Sequence, residues 1–172
     1  MYTSAYRTHT CGELRESHIG QTVRVSGWVE NIRDHGGVQF LDLRDHYGTL
    51  QVVFKDETML KGITRESTIS VTGSIVCRDE DTINPKIETG MVELRAETLE
   101  LLGKCTAALP FEVISSKESR EDLRLKYRFL DLRNRKVHKN IILRAIMRDM
   151  PDCGICADLT AEDYGVDFWA DR

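Results

Sequence analysis

Apolar and polar residues alternate with a period of two along five runs between residues 22 and 101, which is the pattern of half-buried strands. In residues 22–33, Val23, Val25 and Val29 share one parity and Arg24, Ser26 and Glu30 the other, with Gly27 where a strand can bend. The signal His35-Gly36-Gly37 turns the chain into residues 38–45, where Leu41 and Leu43 face away from Phe40, Asp42 and Arg44. Tyr47-Gly48 then leads to residues 49–54, with Leu50, Val52 and Phe54 on one side and Gln51 on the other. These three runs predict an antiparallel meander. Residues 57–65 are helical or irregular in character. They are followed by residues 67–78, where Ile69, Val71, Gly73 and Ile75 alternate with Ser70, Thr72 and Ser74. After a polar loop over residues 79–90, residues 92–101 begin with Val92, Leu94 and Ala96 inward, and the parity slips near Thr98, as at a bulge.

Three strands, a short connector and two more strands in residues 1–103 predict a mainly β domain: a five-stranded Greek-key barrel of the OB type, whose second and third strands commonly bind oligonucleotides. SH3-like and other small barrels share the strand count. Residues 104–136 read as a linker containing Pro110 and a short helical turn at Glu121-Asp122-Leu123-Arg124-Leu125. In residues 137–150, Val137, Ile141, Ile142, Ala145, Ile146 and Met150 recur at helical spacing, so a helix with an apolar stripe is expected there, ended by Pro151. Residues 151–172 show no sustained period.

Composition narrows this picture. The chain has 172 residues, 41% hydrophobic and 30% charged, the balance of one compact soluble domain with appendages. No apolar run approaches the roughly 20 residues that cross a bilayer, and the first residues lack a secretory core, so the expected location is the cytoplasm. Five scattered cysteines, Cys11, Cys77, Cys105, Cys153 and Cys156, do not form a disulfide framework, and the lone Cys153-x-x-Cys156 lacks the partners of a metal site. The net charge of −4 speaks against nucleic acid, yet residues 117–148 carry eleven basic residues against four acidic ones. A polyanion responds to such a local field, although a solvated helix surface has the same composition.

Chemistry concentrates on the polar parity of the barrel. Phe40 is out of phase with Leu41 and Leu43, so its ring faces outward beside Arg44, where it offers a base a stacking platform or else caps the barrel. Gln51, outward on the neighbouring strand, has the donors and acceptor that read a base edge, and Arg33 reaches the same rim.

Several motifs carry a family resemblance: Cys11-Gly12-Glu13-Leu14-Arg15, Val25-Ser26-Gly27-Trp28-Val29, Arg33-Asp34-His35-Gly36-Gly37, Phe40-Leu41-Asp42-Leu43-Arg44-Asp45, Val71-Thr72-Gly73 and Arg124-Leu125-Lys126-Tyr127-Arg128-Phe129-Leu130-Asp131-Leu132-Arg133. From about residue 6 to about residue 150 the sequence resembles bacterial aspartyl-tRNA synthetases. The Gly-Trp-Val element is shared with lysyl and asparaginyl enzymes, whereas the ordered set is specific. The resemblance implies an anticodon-binding OB-fold hinged to a class II catalytic domain. It implies that the residue at Phe40 stacks on the middle anticodon base and that at Gln51 reads its edge, with Arg33, Arg78, Asn84 and Glu93 as further anticodon contacts. Near the third base, enzymes strict for aspartate tRNA often have leucine and asparagine where this chain has His35 and Thr82, which implies relaxed acceptance of asparagine tRNA. The partner implied is tRNA. ATP and Mg2+ belong to the full enzyme, a homodimer held mainly through the catalytic domain. That domain's class II motifs are not in this chain, so no residue is assigned a catalytic or metal-binding role. A free-standing single-stranded nucleic-acid-binding protein and a non-functional truncated product remain alternatives.

Overall fold

The computed structural model describes residues 4–79 and 82–149. The chain divides into two compact units, residues 1–108 and 109–172. Met150, Pro151, Cys153, Cys156 and the rest of the tail lie outside the described residues.

In the first unit β1 (Thr22–His35), β2 (Val38–Arg44), β3 (Thr49–Phe54), β4 (Thr68–Cys77) and β5 (Val92–Gly103) close a barrel in the order β1-β2-β3-β5-β4. β3 and β5 run parallel, and the other neighbours are antiparallel. This is the five-stranded OB barrel expected from the alternation. Each strand has a single apolar face, and closing the sheet removes all five faces from water while leaving no edge unpaired. Val25, Val29, Leu41, Leu43, Val52 and Val71 are fully buried, each on the parity expected for it. A single helical turn at Glu57–Leu60, capped by Asp56, tucks Leu60 against the same core.

Three local features shape the barrel. His35 pairs with Val38, so Gly36 and Gly37 form a two-residue turn, and both have the positive φ that such a turn demands. A Cβ at position 27 would sit 2.4 Å from the Arg44 carbonyl oxygen, which is why glycine stands where β1 crosses the end of β2. The parity slip near Thr98 is a bulge: Thr72 pairs with Thr98 but Gly73 pairs with Ala96, leaving Glu97 as the extra residue.

A second bulge was not legible. Val29 pairs with Leu43 and Asn31 with Asp42, so Glu30 is an extra residue in β1. Strict alternation from Val29 would carry Arg33 to the core side. The bulge reverses the parity, so Ile32 packs on the core and Arg33 turns outward opposite Phe40. Arg44 corrects the expected picture of β2. It is not beside Phe40 on an open face but 3% exposed, ion-paired with Glu66 and, at 3.7 Å, with Glu30, and stacked on Trp28. A charge at that depth is tolerated because it is paired.

The second unit contains α1 (Glu121–Lys126), α2 (Arg128–Asp131) and α3 (Arg135–Asp149). α3 begins two residues before the expected helix because the Asn134 Oδ1 accepts the Lys136 amide at 3.0 Å and satisfies a first-turn donor. The Asn134 amide donates in turn to the carbonyls of Val113 and Ile114, both at 2.9 Å. Asp131 is fully buried and accepts hydrogen bonds from Ser116, Arg124 and Arg128. Part of the basic run is thus consumed in internal pairing. Of the expected apolar stripe Val137 is buried, while Ile141, Ile142 and Ile146 remain more than two-fifths exposed and Leu143, off that stripe, is buried instead.

Candidate nucleic-acid interface

The polar parity of β1, β2 and β3 forms one wall of a groove of about 620 Å³, and residues 82–87 between β4 and β5 form another. Its lining brings together Arg33, His35, Phe40, Gln51, Arg78, Thr82 and Asn84, seven of the eight residues singled out from the sequence. The eighth, Glu93, reaches the groove through Gln51. Glu30, Asp42, Thr49 and Ile87 complete the lining. Asp42 had a signal, since it shares the parity of Phe40. Glu30 and Thr49 likewise share the polar parity of their runs, but the bulge that swings Glu30 toward Thr49 is set by pairing with β2 and was not legible.

Cross-strand register sets the site out in two ranks. Asp42 faces Gln51, and the pairing of Val52 with Leu94 places Glu93 beside Gln51 on β5. In the next rank Arg33 faces Phe40. The Arg33 Nη2 donates to the Asp42 Oδ1 at 2.8 Å and makes a long 3.5 Å contact with the Gln51 Oε1. On its other side the Gln51 Nε2 donates to the Glu93 Oε2 at 3.0 Å. Gln51 is only 8% exposed. It faces away from the core as expected but lies on the groove floor, because its neighbours in the rank cover it.

The half-buried Phe40 ring and the His35 ring meet in a T-shaped arrangement, with centroids 5.8 Å apart and planes at 72°. The Arg78 side chain is held by the Val92 carbonyl at 3.1 Å and the Thr82 carbonyl at 3.4 Å. Its Nη2 is buried with no acceptor among the described residues. The Thr82 hydroxyl donates to the Asp79 carbonyl, and the Asn84 Oδ1 accepts the Lys86 amide at 3.0 Å, which pins the loop that carries both.

Burial pushes the Asp42 carboxyl above the ordinary range, and the charges of Arg33 and Arg78 offset this only in part. Burial raises Glu30 likewise, against the pull of Arg44 and with the support of Asp42 and Glu66. Burial pulls the Arg78 guanidinium down, opposed by Glu93 and Asp42. A groove whose two carboxylates balance its two guanidiniums has no positive excess to hold a phosphate backbone unspecifically, yet it offers acceptors and donors to the edges of bases and an aromatic face for stacking. Among the described residues no group of three or more histidines, cysteines or acids could hold a metal ion, and no helix is long and apolar enough to cross a membrane.

A barrel of this topology with such a groove defines a class. Residues 23–102 match the family of OB-fold nucleic acid binding domains, and this segment is a tRNA anticodon-binding OB domain. More particularly, its sequence is similar to aspartate–tRNA ligases. It is 48% identical over 145 residues to the aspartate–tRNA(Asp/Asn) ligase of a Caulobacter species, a match covering 82% of this chain and 24% of the relative. It is 50% identical over 143 residues to the aspartate–tRNA ligase of Streptomyces coelicolor, covering 81% and 24%. Among solved structures, the asparaginyl-tRNA synthetase of Pyrococcus horikoshii superposes with a TM-score of 0.58 at 26% identity, over 74% of this chain and 29% of that one. The chain therefore spans about a quarter of the length of the curated relatives it matches, in their N-terminal part.

Proposed function

We propose that the groove binds the anticodon loop of aspartate tRNA, as the N-terminal module of an aspartate–tRNA ligase that attaches aspartate to tRNA at the expense of ATP. The observation that carries this reading is the convergence of Phe40, Gln51, Arg33 and Arg78 on one groove, each held by neighbours in a fixed orientation. Preorganised groups of this kind bind a splayed loop without paying to order themselves. Phe40 stacks on the middle base, Gln51 reads its edge, and Arg78 and Asn84 serve neighbouring bases. The Thr82 and His35 side chains flank the third base, where aspartate tRNA has C and asparagine tRNA has U. Neither makes the directional contact of an asparagine amide, so the module accepts both tRNAs, as the name of the Caulobacter relative says of that protein. ATP and Mg2+ act in the full-length ligase, and no residue of this chain is assigned to amino-acid activation.

The test is a binding titration with an RNA hairpin bearing the aspartate anticodon, against the same hairpin with its loop permuted. At least a tenfold preference for the aspartate loop is expected, about 1.4 kcal/mol. Equal affinity for both, and for unrelated single strands, would replace this reading with an OB protein indifferent to sequence.

A further inference from the structure

The side-chain amide of Gln51 reads with a direction, because an amide turned over exchanges its donor and acceptor ends while keeping its shape. Its direction is set by the groups on either side. Glu93 presents a carboxylate oxygen 3.0 Å from one end, and an ionised carboxylate accepts only, so that end is the NH2. Arg33 approaches the other end at 3.5 Å with a donor, and a guanidinium donates only, so that end is the carbonyl. Arg33 is fixed in turn by Asp42 at 2.8 Å. Asp42, Arg33, Gln51 and Glu93 therefore form an unbroken run of acceptor, donor, acceptor-and-donor, acceptor across four strands. Turning the amide over would set its carbonyl against Glu93 and its NH2 against Arg33, two repulsive contacts on a floor where Gln51 is 8% exposed.

We infer that Glu93 is a positioning residue that selects the middle base through Gln51: it locks the amide so that a pyrimidine with an imino donor, uracil, is accepted and cytosine is refused. The inference rests on the anticodon reading of the groove. It alters the role implied for Glu93 by resemblance, since among the described residues Glu93 does not itself line the groove but stands against Gln51. With the ring position fixed on Phe40, uracil presents an N3–H donor where cytosine presents a bare N3 acceptor. A carbonyl locked in place accepts the first and opposes the second. An amide free to turn serves either base equally.

The experiment compares the full chain with its Glu93→Gln variant, using hairpin RNAs that differ only in having U or C at the middle anticodon position. Glutamine at 93 can pair with either end of the Gln51 amide, so it keeps a hydrogen bond and removes the lock. The parent is expected to prefer U by about tenfold or more, and the variant to lose most of that preference by gaining affinity for C, with affinity for U changed less than about threefold. Glu93→Asp, which stays acceptor-only, should retain the preference. In the Gln51→Leu background, Glu93→Gln should have no further effect on it, as a double-mutant cycle requires. If Glu93→Gln leaves the U-over-C preference intact, the lock does not select the base and the inference is wrong; if it instead erodes selectivity at the third base, Glu93 reads a base directly and the inference is wrong as well. An amide NMR measurement on the RNA-free chain is independent of the anticodon reading. One Gln51 Nε2 proton should be exchange-protected in the parent and in Glu93→Asp, and equal exposure of both protons would overturn the lock. Failure of the parent to bind either hairpin would overturn the proposed function, and with it this role for Glu93.

Discussion

Two aspartates, the half-buried Asp42 in the first unit and the fully buried Asp131 in the second, both have arginine partners, and their acidities are moved in opposite directions. Burial pushes Asp131 up, but hydrogen bonds from Arg124 and Ser116 and the charges of Arg124 and Arg128 outweigh it and hold its carboxyl below the ordinary range. Asp42 has one short bond to Arg33 and the distant charge of Arg78, and burial wins. Asp131 has its acceptor capacity consumed: Ser116 at 2.8 Å, Arg124 at 3.2 and 3.3 Å, and Arg128. Asp42 is left partly unsatisfied on the wall of a groove. A carboxylate surrounded by dedicated donors is an internal tie, whereas one given a single shared arginine retains capacity that a ligand can use.

Removing the tie has the largest expected effect. Asp131→Ala strands two arginines and a hydroxyl, which should cost about 3 kcal/mol, near the low end for a broken buried pair because Arg124 and Arg128 retain some access to water. Hydrogen exchange across α1–α3 reads this directly, and RNA binding by the barrel should be unchanged. A loss under about 0.5 kcal/mol would mean that the network is decorative, and the comparison would collapse.

Next comes the groove itself. Phe40→Ala should weaken binding of the anticodon hairpin by roughly 1–3 kcal/mol, the loss of one stacked base, while the melting temperature of the free chain barely moves. If the variant unfolds readily and its folded fraction binds normally, the ring belongs to the core rather than to a ligand.

The pH dependences sharpen the contrast, since their signs differ. The folded Asp131 is more acidic than the unfolded aspartate, so its contribution to stability is full above the unfolded pKa and is lost as pH falls through the folded value. The folded Asp42 is less acidic than the unfolded one, so its ionised form opposes folding at neutral pH, and that opposition is relieved as pH falls through the folded value. Asp42→Asn should therefore raise the urea midpoint at neutral pH, with the gain shrinking on acidification. Asp131→Asn should lower it at neutral pH, with the deficit shrinking on acidification. Parallel curves for the two variants would refute the assignment.

The smallest effect concerns the rim. The unaltered chain should prefer C over U at the third anticodon position by less than about 1.4 kcal/mol, a tenfold ratio, and a His35→Leu, Thr82→Asn double variant should widen the gap. Because the His35 ring abuts Phe40, the double variant also reports whether the histidine supports stacking: affinity for both hairpins would then fall together.

What the sequence by itself determined was local and periodic. Alternation set which face of each strand meets the core, Gly36-Gly37 marked the first hairpin, the slip near Thr98 marked a bulge, and Phe40 stood out because it broke the phase of its neighbours. These features depend on the two-residue repeat of an extended chain and on backbone conformations that few residues adopt. The tertiary structure alone decided that Glu30 is extruded from β1 so that Arg33 turns outward, and that Gln51 is buried under its rank-mates. It alone brought Glu93 from β5 against Gln51, drew Arg44 into a buried pair with Glu66, and gathered Ser116, Arg124 and Arg128 around Asp131. Each depends on the register and closure of segments that come together only when the chain folds, and a pattern of period two carries no record of which residue will lie opposite which.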